Sequence, residues 1–271
     1  MSEYVHQISE KETEQIARFL RGLAIGVVLF ALLVIVLFVT ADSWLKLISP
    51  ESERRFIEPY IEWSRGKLLV QADAELQNYV ESLANEMYSL ADSDQPIRVE
   101  VIKGDTVNAF ATLGGYIFVF EGIIDAVDNE NALAMVLAHE IGHVHHRDPL
   151  LSTGRAMLIQ LAISTLSGTN IDPNSIDTSS DVLLNQYNRE QELEADEFAL
   201  TLLQRKYGHV GGATGLFELI DDISSETIEF LSSHPDTVAR IDRIRELSAE
   251  RGWRTGDSAP YPDAVRDALS N

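Results

Sequence analysis

The longest uniform stretch in the chain is residues 22–40, GLAIGVVLFALLVIVLFVT, where no position is charged. At ~1.5 Å per residue a helix of that length covers about 28 Å, close to the hydrocarbon thickness of a bilayer. A buried core helix keeps a polar face, and this stretch has none. A cleaved leader is the competing reading. The preceding residues 1–21 carry Glu3, Glu10, Glu12 and Glu14, unlike a short basic leader, and the exit VTADSWLKL is a poor cleavage site. An uncleaved transmembrane helix over 22–40 is expected. Lys11, Arg18 and Arg21 precede it and Lys46, Arg54 and Arg55 follow it. Arg18 and Arg21 stand nearest the span, which assigns the N-terminus to the cytoplasm and the remainder to the exported side.

Beyond the span the pattern changes. Residues 41–66 read as a juxtamembrane linker broken by Pro50, Pro59 and Gly66. From Lys67 to about Ser89, Leu69, Ala72, Leu76, Tyr79, Val80, Leu83 and Met87 recur at helical spacing. IRVEVIK alternates as a strand, and NAFATLGGYIFVF reads as two strands around a Gly114-Gly115 turn. Helices are expected near Glu121 and from about Asn129 to a proline stop at Pro149. Residues 151–170 are apolar but interrupted by Ser, Thr and Gly, and too short to cross a bilayer. Residues 167–181 form a polar loop. A strong helix then runs to a cap near Gly208, another covers about 212–223, and a final helix follows SSHPDT. The expected organisation is a polar N-terminal segment (1–21), the transmembrane helix (22–40), a linker (41–66), one catalytic domain (67–250) and a loosely held tail (251–271). The fold class is α+β, mainly α, with a small antiparallel sheet.

The helix ending at Pro149 carries the chemistry. AMVLAHEIGHVHHRDP contains His139-Glu140-Ile141-Gly142-His143, an HExxH pattern. Two histidines four apart lie one turn apart on one face, so both rings reach one ion. Neutral imidazole suits zinc, and Glu140 beside the first ligand suits a general base. His145 lies off that face and His146 a turn too far along, so both read as cations closing the helix C-terminus. A third ligand is needed. Glu192-Leu193-Glu194-Ala195-Asp196, on a later helix, supplies it; Glu192 and Asp196 share a face, but spacing alone leaves Glu192 and Glu194 both open. The plain alternative for this run is a solvated acidic face.

Composition narrows the field. The 271 residues have no cysteine, which excludes disulfides, thiolate metal sites and cysteine nucleophiles. A net charge of −22 excludes a phosphate-backbone partner, so no nucleic acid is expected.

HEIGH followed by ELEAD on a later helix resembles the M48 family of metallopeptidases. NAFATLGGYIFVFEGII and SSHPDTVARI are similar to two further elements of that family, so the likeness covers roughly residues 67–246. It implies a zincin-like (gluzincin) fold and a single-span, membrane-anchored zinc endopeptidase acting on protein substrates. One Zn2+ per chain would be held by His139, His143 and Glu192, with Asp196 supporting a ligand histidine. Glu140 and His234 would be catalytic, and Asn108 and Arg240 would bind substrate. The alternative is a chaperone-like or latent quality-control factor, closed by loop 167–181 or by His234. The intact Glu140 argues against a dead enzyme. The oligomeric state is left open.

Overall fold

The computed structural model describes residues 10–65, 67, 69–127, 129–167, 187–220, 230, 234 and 237–270. The apolar stretch forms part of α1 (Glu10–Val39), which begins earlier than the composition of 22–40 suggests. Residues Lys11–Val39 are long and apolar enough to cross a membrane, and none of the apolar window is buried against the rest of the chain. The polar residues before it extend the same helix, with Arg18 pairing to Glu14 one turn back.

The stretch expected as a linker is helical. Short α2 (Ala41–Leu45) leads to α3 (Pro50–Arg65). Pro50 occupies the first helical position, where its missing N–H costs nothing, and Pro59 lies inside the helix. Ile57 and Ile61, four apart, are buried in a core with Phe110, Tyr116 and Phe118. Arg147 has a left-handed backbone (φ 66°). Its guanidinium ties the Lys46 and Ile48 carbonyls and the Glu53 carboxylate to the end of the HExxH helix. The segment after the span is therefore fixed to the body of the fold.

Residues 69–73 are extended rather than helical. The Ala72 amide donates to the Val101 carbonyl and the Lys103 amide to the Val70 carbonyl, along one strand edge. Helix α4 (Ala74–Ser89) starts where Asp73 caps it, its side chain accepting from the Glu75 amide at 2.8 Å. Strands β1 (Arg98–Ile102), β2 (Ala109–Thr112) and β3 (Tyr116–Phe120) are ordered β1-β3-β2. The antiparallel expectation holds for β2 on β3, but β1 lies parallel to β3, so the sheet is mixed. The reason is the connection: β1 does not turn back into β2 but crosses to the far side of β3. The tight turn between β2 and β3 needs both glycines, at φ 73° and 76°.

Helices α5 (Glu121–Val127) and α6 (Glu130–His146) follow, the latter capped by Asn129, whose side chain accepts from the Ala132 amide. α7 (Asp148–Ser167) begins immediately after, with Pro149 in its first turn. α8 (Arg189–Tyr207) has a reciprocal cap from Asn188 and Gln191 and ends at Gly208 in the left-handed region. α9 (Gly215–Ile220), α10 (Thr237–Glu250) and α11 (Asp263–Leu269) complete the described elements. The segment beyond 251 is packed, not loose. Tyr261 and Val265 are buried in the main core, and the Tyr261 hydroxyl donates to the Ile124 carbonyl at 3.0 Å. Its Pro, Asp and Ser content disguised two long-range anchors.

Candidate metal centre

The site forms where α6 crosses α8. Gly142, inside HEIGH, faces Ala195, inside ELEAD: a Cβ on Gly142 would stand 3.2 Å from Ala195 Cα. Small residues at both positions let the two backbones approach, which brings the histidines of one helix onto the carboxylates of the other. His139, His143, Glu192 and His234 are all buried, and one donor atom from each lies within 4.8 Å of the others. The Nε2 atoms of His139 and His143 are 3.0 Å apart, so both rings point at one locus. Glu192 reaches it with Oε2 3.5 Å from His139 Nε2 and Oε1 3.6 Å from His143 Nε2. Glu194 is outside this cluster.

The opposite ring nitrogens are also held. His139 Nδ1 is 3.0 Å from Asp196 Oδ1, and His143 Nδ1 is 2.9 Å from Asp148 Oδ2. Such carboxylate contacts fix the tautomer and strengthen the imidazole as a ligand. Asp148 is itself held by Gln191, whose amide donates to Oδ1 at 2.8 Å. Neither Asp148 nor Gln191 emerges from the sequence reading, where Asp148 is only the residue before a helix-stopping proline. A carboxylate five positions beyond the second histidine of HExxH was the available signal.

Arg240 lies at the centre of the supporting layer and is 1% exposed. It donates to Asp196 through Nε (2.8 Å) and Nη2 (2.7 Å). Its Nη1 lies 2.6 Å from Glu192 Oε2, a close ion pair. The guanidinium also stacks over Phe217, 4.7 Å from the ring centre. Expected at the substrate, this residue faces the carboxylates behind the cluster.

The electrostatics follow from burial among these charges. Burial raises Asp196, but Arg240 and His139 outweigh it and hold the carboxyl at about 2. Burial likewise opposes ionisation of Glu192, yet His234, His139 and Arg240 hold it far below the usual carboxylate range. Burial and Arg240 lower His139, but its bonds to Asp196 and Glu192 prevail and lift it to about 9. Burial, reinforced by His139, keeps His143 neutral. Glu140 is pushed up by burial, against the pull of His234 and His139. Its carboxylate makes no side-chain hydrogen bond among the described residues, the Ala111 backbone stabilises its charged form, and Oε1 is 3.4 Å from His234 Nε2.

His234 joins the cluster from the segment before α10, its Nδ1 3.0 Å from Glu192 Oε1 and 3.3 Å from His139 Nε2. Phe230 stacks on it at 4.4 Å, and the Phe230 amide donates to the Val107 carbonyl. That bond ties His234 to the entrance of β2, where Asn108 is fully buried with neither side-chain amide atom partnered among the described residues. Tyr187 was not foreseen. Its ring stacks on His143 at 3.8 Å and its hydroxyl donates to the Ala111 carbonyl at 3.1 Å. Nothing in its local sequence marks it. His145 and His146 remain outside, packed around Phe198. Burial lowers His146, whose ring packs edge-on to Phe198 at the end of the helix. Loop 167–181 falls outside the described residues except for Ser167.

The family model described as Peptidase family M48 matches residues 71–248. Metalloprotease YcaL of Escherichia coli (strain K12) is 29% identical over 161 residues, 57% of this chain and 63% of that protein. Mitochondrial metalloendopeptidase OMA1 of Schizosaccharomyces pombe is 33% identical over 168 residues, 58% of this chain and 48% of that protein. Beta-barrel assembly-enhancing protease of Escherichia coli (strain K12) is 30% identical over 203 residues, 69% of this chain and 42% of that protein. The matches thus span about 42–63% of the length of these relatives.

Proposed function

The chain belongs to peptidase family M48, and we propose that it is a membrane-anchored zinc endopeptidase cleaving protein substrates in membrane or envelope quality control. The observation that carries this reading is the convergence of His139, His143 and Glu192 beside the buried carboxylate of Glu140. Two imidazoles and a carboxylate are a donor set that suits zinc. His139, His143 and Glu192 would hold one ion per chain, with Asp196 and Asp148 orienting the two rings. When bound, the ion supplies a Lewis acid that polarises a peptide carbonyl and acidifies water.

The protein's own groups supply the rest. Glu140 takes a proton from the attacking water and returns it to the leaving amine. His234, with Nε2 unpartnered among the described residues, donates to the developing oxyanion. An extended substrate pairs with β2, an edge strand of the sheet, and Asn108 binds its backbone. The names of the mitochondrial and β-barrel-assembly relatives support the quality-control setting. The position of Arg18 and Arg21 supports a catalytic domain on the exported side.

A latent or chaperone-like state is the second reading, favoured by His234 standing among the metal donors and by Tyr187 covering His143. His234→Ala separates the two roles: turnover rises if His234 closes the site and falls if it serves the oxyanion.

The full chain, purified in detergent, is expected to contain about one zinc by elemental analysis and to cleave casein. Glu140→Gln retains the zinc and loses ~10²–10⁴-fold in turnover. A folded, active, metal-free protein, or unchanged turnover in Glu140→Gln, overturns the reading.

A further inference from the structure

α7 divides into two unlike halves. From Asp148 to Thr153 most residues are buried, and Gly154 packs so closely on α2 that an added Cβ would meet the Leu45 side chain at 2.6 Å. From Ala156 onward the helix protrudes. Met157, Ile159, Leu161 and Ile163 are exposed, the last at 54%, and no residue from 156 to 167 is charged. A soluble helix with half its length uncovered would place polar residues there.

The polar groups that remain are few and mostly silent. The Ser164 and Thr165 hydroxyls donate back to the Leu161 carbonyl at 2.9 and 2.7 Å, so neither needs water. Gln160, Ser164 and Ser167, spaced four and three apart, form one narrow stripe on an otherwise apolar surface.

The position of this surface names its occupant. α7 touches α1, and Arg155 at the start of the uncovered half grips Asp42, just past the end of α1, through Nε (3.1 Å) and Nη2 (2.6 Å). That charged pair stands where the apolar part of α1 ends and where the apolar part of α7 begins. Both apolar stretches therefore begin at one polar layer. We infer that the distal half of α7 lies in the same bilayer as α1, immersed in the leaflet next to the catalytic domain. Its twelve residues, about 18 Å of helix, do not cross a bilayer. The proximal end carries Asp148, the partner of His143, so the helix that enters the lipid is the one that buttresses the metal site. The active site would then be held against the membrane surface at two points rather than swinging on one tether.

This inference rests on α1 being the membrane anchor, and the test separates the two. The chain has no cysteine, so single-cysteine labelling needs no background removal. Full-length Ile163→Cys, Leu29→Cys and Glu250→Cys, each carrying an environment-sensitive fluorophore, are reconstituted at one chain per lipid nanodisc. Lipids with nitroxides on the acyl chain are included or omitted. Labels at Leu29 and Ile163 should be quenched severalfold, and the label at Glu250 should not. Quenching at Leu29 without quenching at Ile163 overturns the inference while leaving the anchor intact. Loss of quenching at Leu29 removes the anchor reading and this inference with it. Lipid contact at Ile163 that appears only at two chains per disc shows that a second copy recruits α7, and also overturns it.

Discussion

Replacing Arg240 by methionine removes the guanidinium while keeping an unbranched stem that ends near the position of Nε. In the native protein this group makes two hydrogen bonds to Asp196, at 2.7 and 2.8 Å, and a 2.6 Å ion pair to Glu192, with 1% of the residue exposed. Both carboxylates are buried and ionised, and the substitution leaves them facing each other without their cation. Breaking a buried pair by deleting one partner costs about 3–5 kcal/mol. At roughly 2–4 °C per kcal/mol for a domain of this size, Tm should fall by ~6–20 °C. Asp196 also loses the partner that aims it at His139 Nδ1, so zinc affinity should drop ~10–100-fold. Thermal unfolding in detergent and competition against a chromogenic chelator measure the two effects on one preparation. Arg240→Lys keeps the charge without the planar fork and should fall between wild type and methionine. Unchanged Tm and zinc affinity with a raised KM would refute the reasoning, because that pattern belongs to a residue that touches substrate.

Glu192→Ala should lose metal and Glu194→Ala should not, read by elemental analysis after dialysis; the reverse would shift the third donor by two positions. Asp148→Asn, nearly isosteric, should weaken zinc binding ~10–100-fold by loosening His143, and an affinity equal to wild type would remove Asp148 from the site. Gly115→Ala should destabilise the protein by more than the ~1–2 kcal/mol of a left-handed backbone. Its Cβ would meet the Pro96 carbonyl oxygen at 1.8 Å, and an unchanged Tm would contradict that packing.

Local chemistry was enough to read several features from the chain alone. The charge-free run over 22–40, the HExxH pair one turn apart, the Gly114-Gly115 turn and the Asn129 and Gly208 helix ends all depend on residues close in sequence. Helical periodicity also put Glu192 and Asp196 on one face, but it could not choose between Glu192 and Glu194. Which of the two stands beside the histidines depends on which side of α8 meets α6, and the approach of Gly142 to Ala195 brings Glu192 there. The same limit hid Tyr187, Asp148 and Gln191, whose roles exist only through partners elsewhere in the chain. It also made residues 41–66 look like a tether and those beyond 251 like a loose end. Prolines and turn formers describe local backbone preference, while Ile57, Ile61, Tyr261 and Val265 are fixed by burial against distant elements. Arg240 shows the division most clearly. The sequence marked it as part of an element accompanying the metal motifs, and only the packing of α10 behind α8 turned its guanidinium toward two buried carboxylates. Spacing along a helix determines which side chains share a face; what that face meets is set by the packing of whole elements.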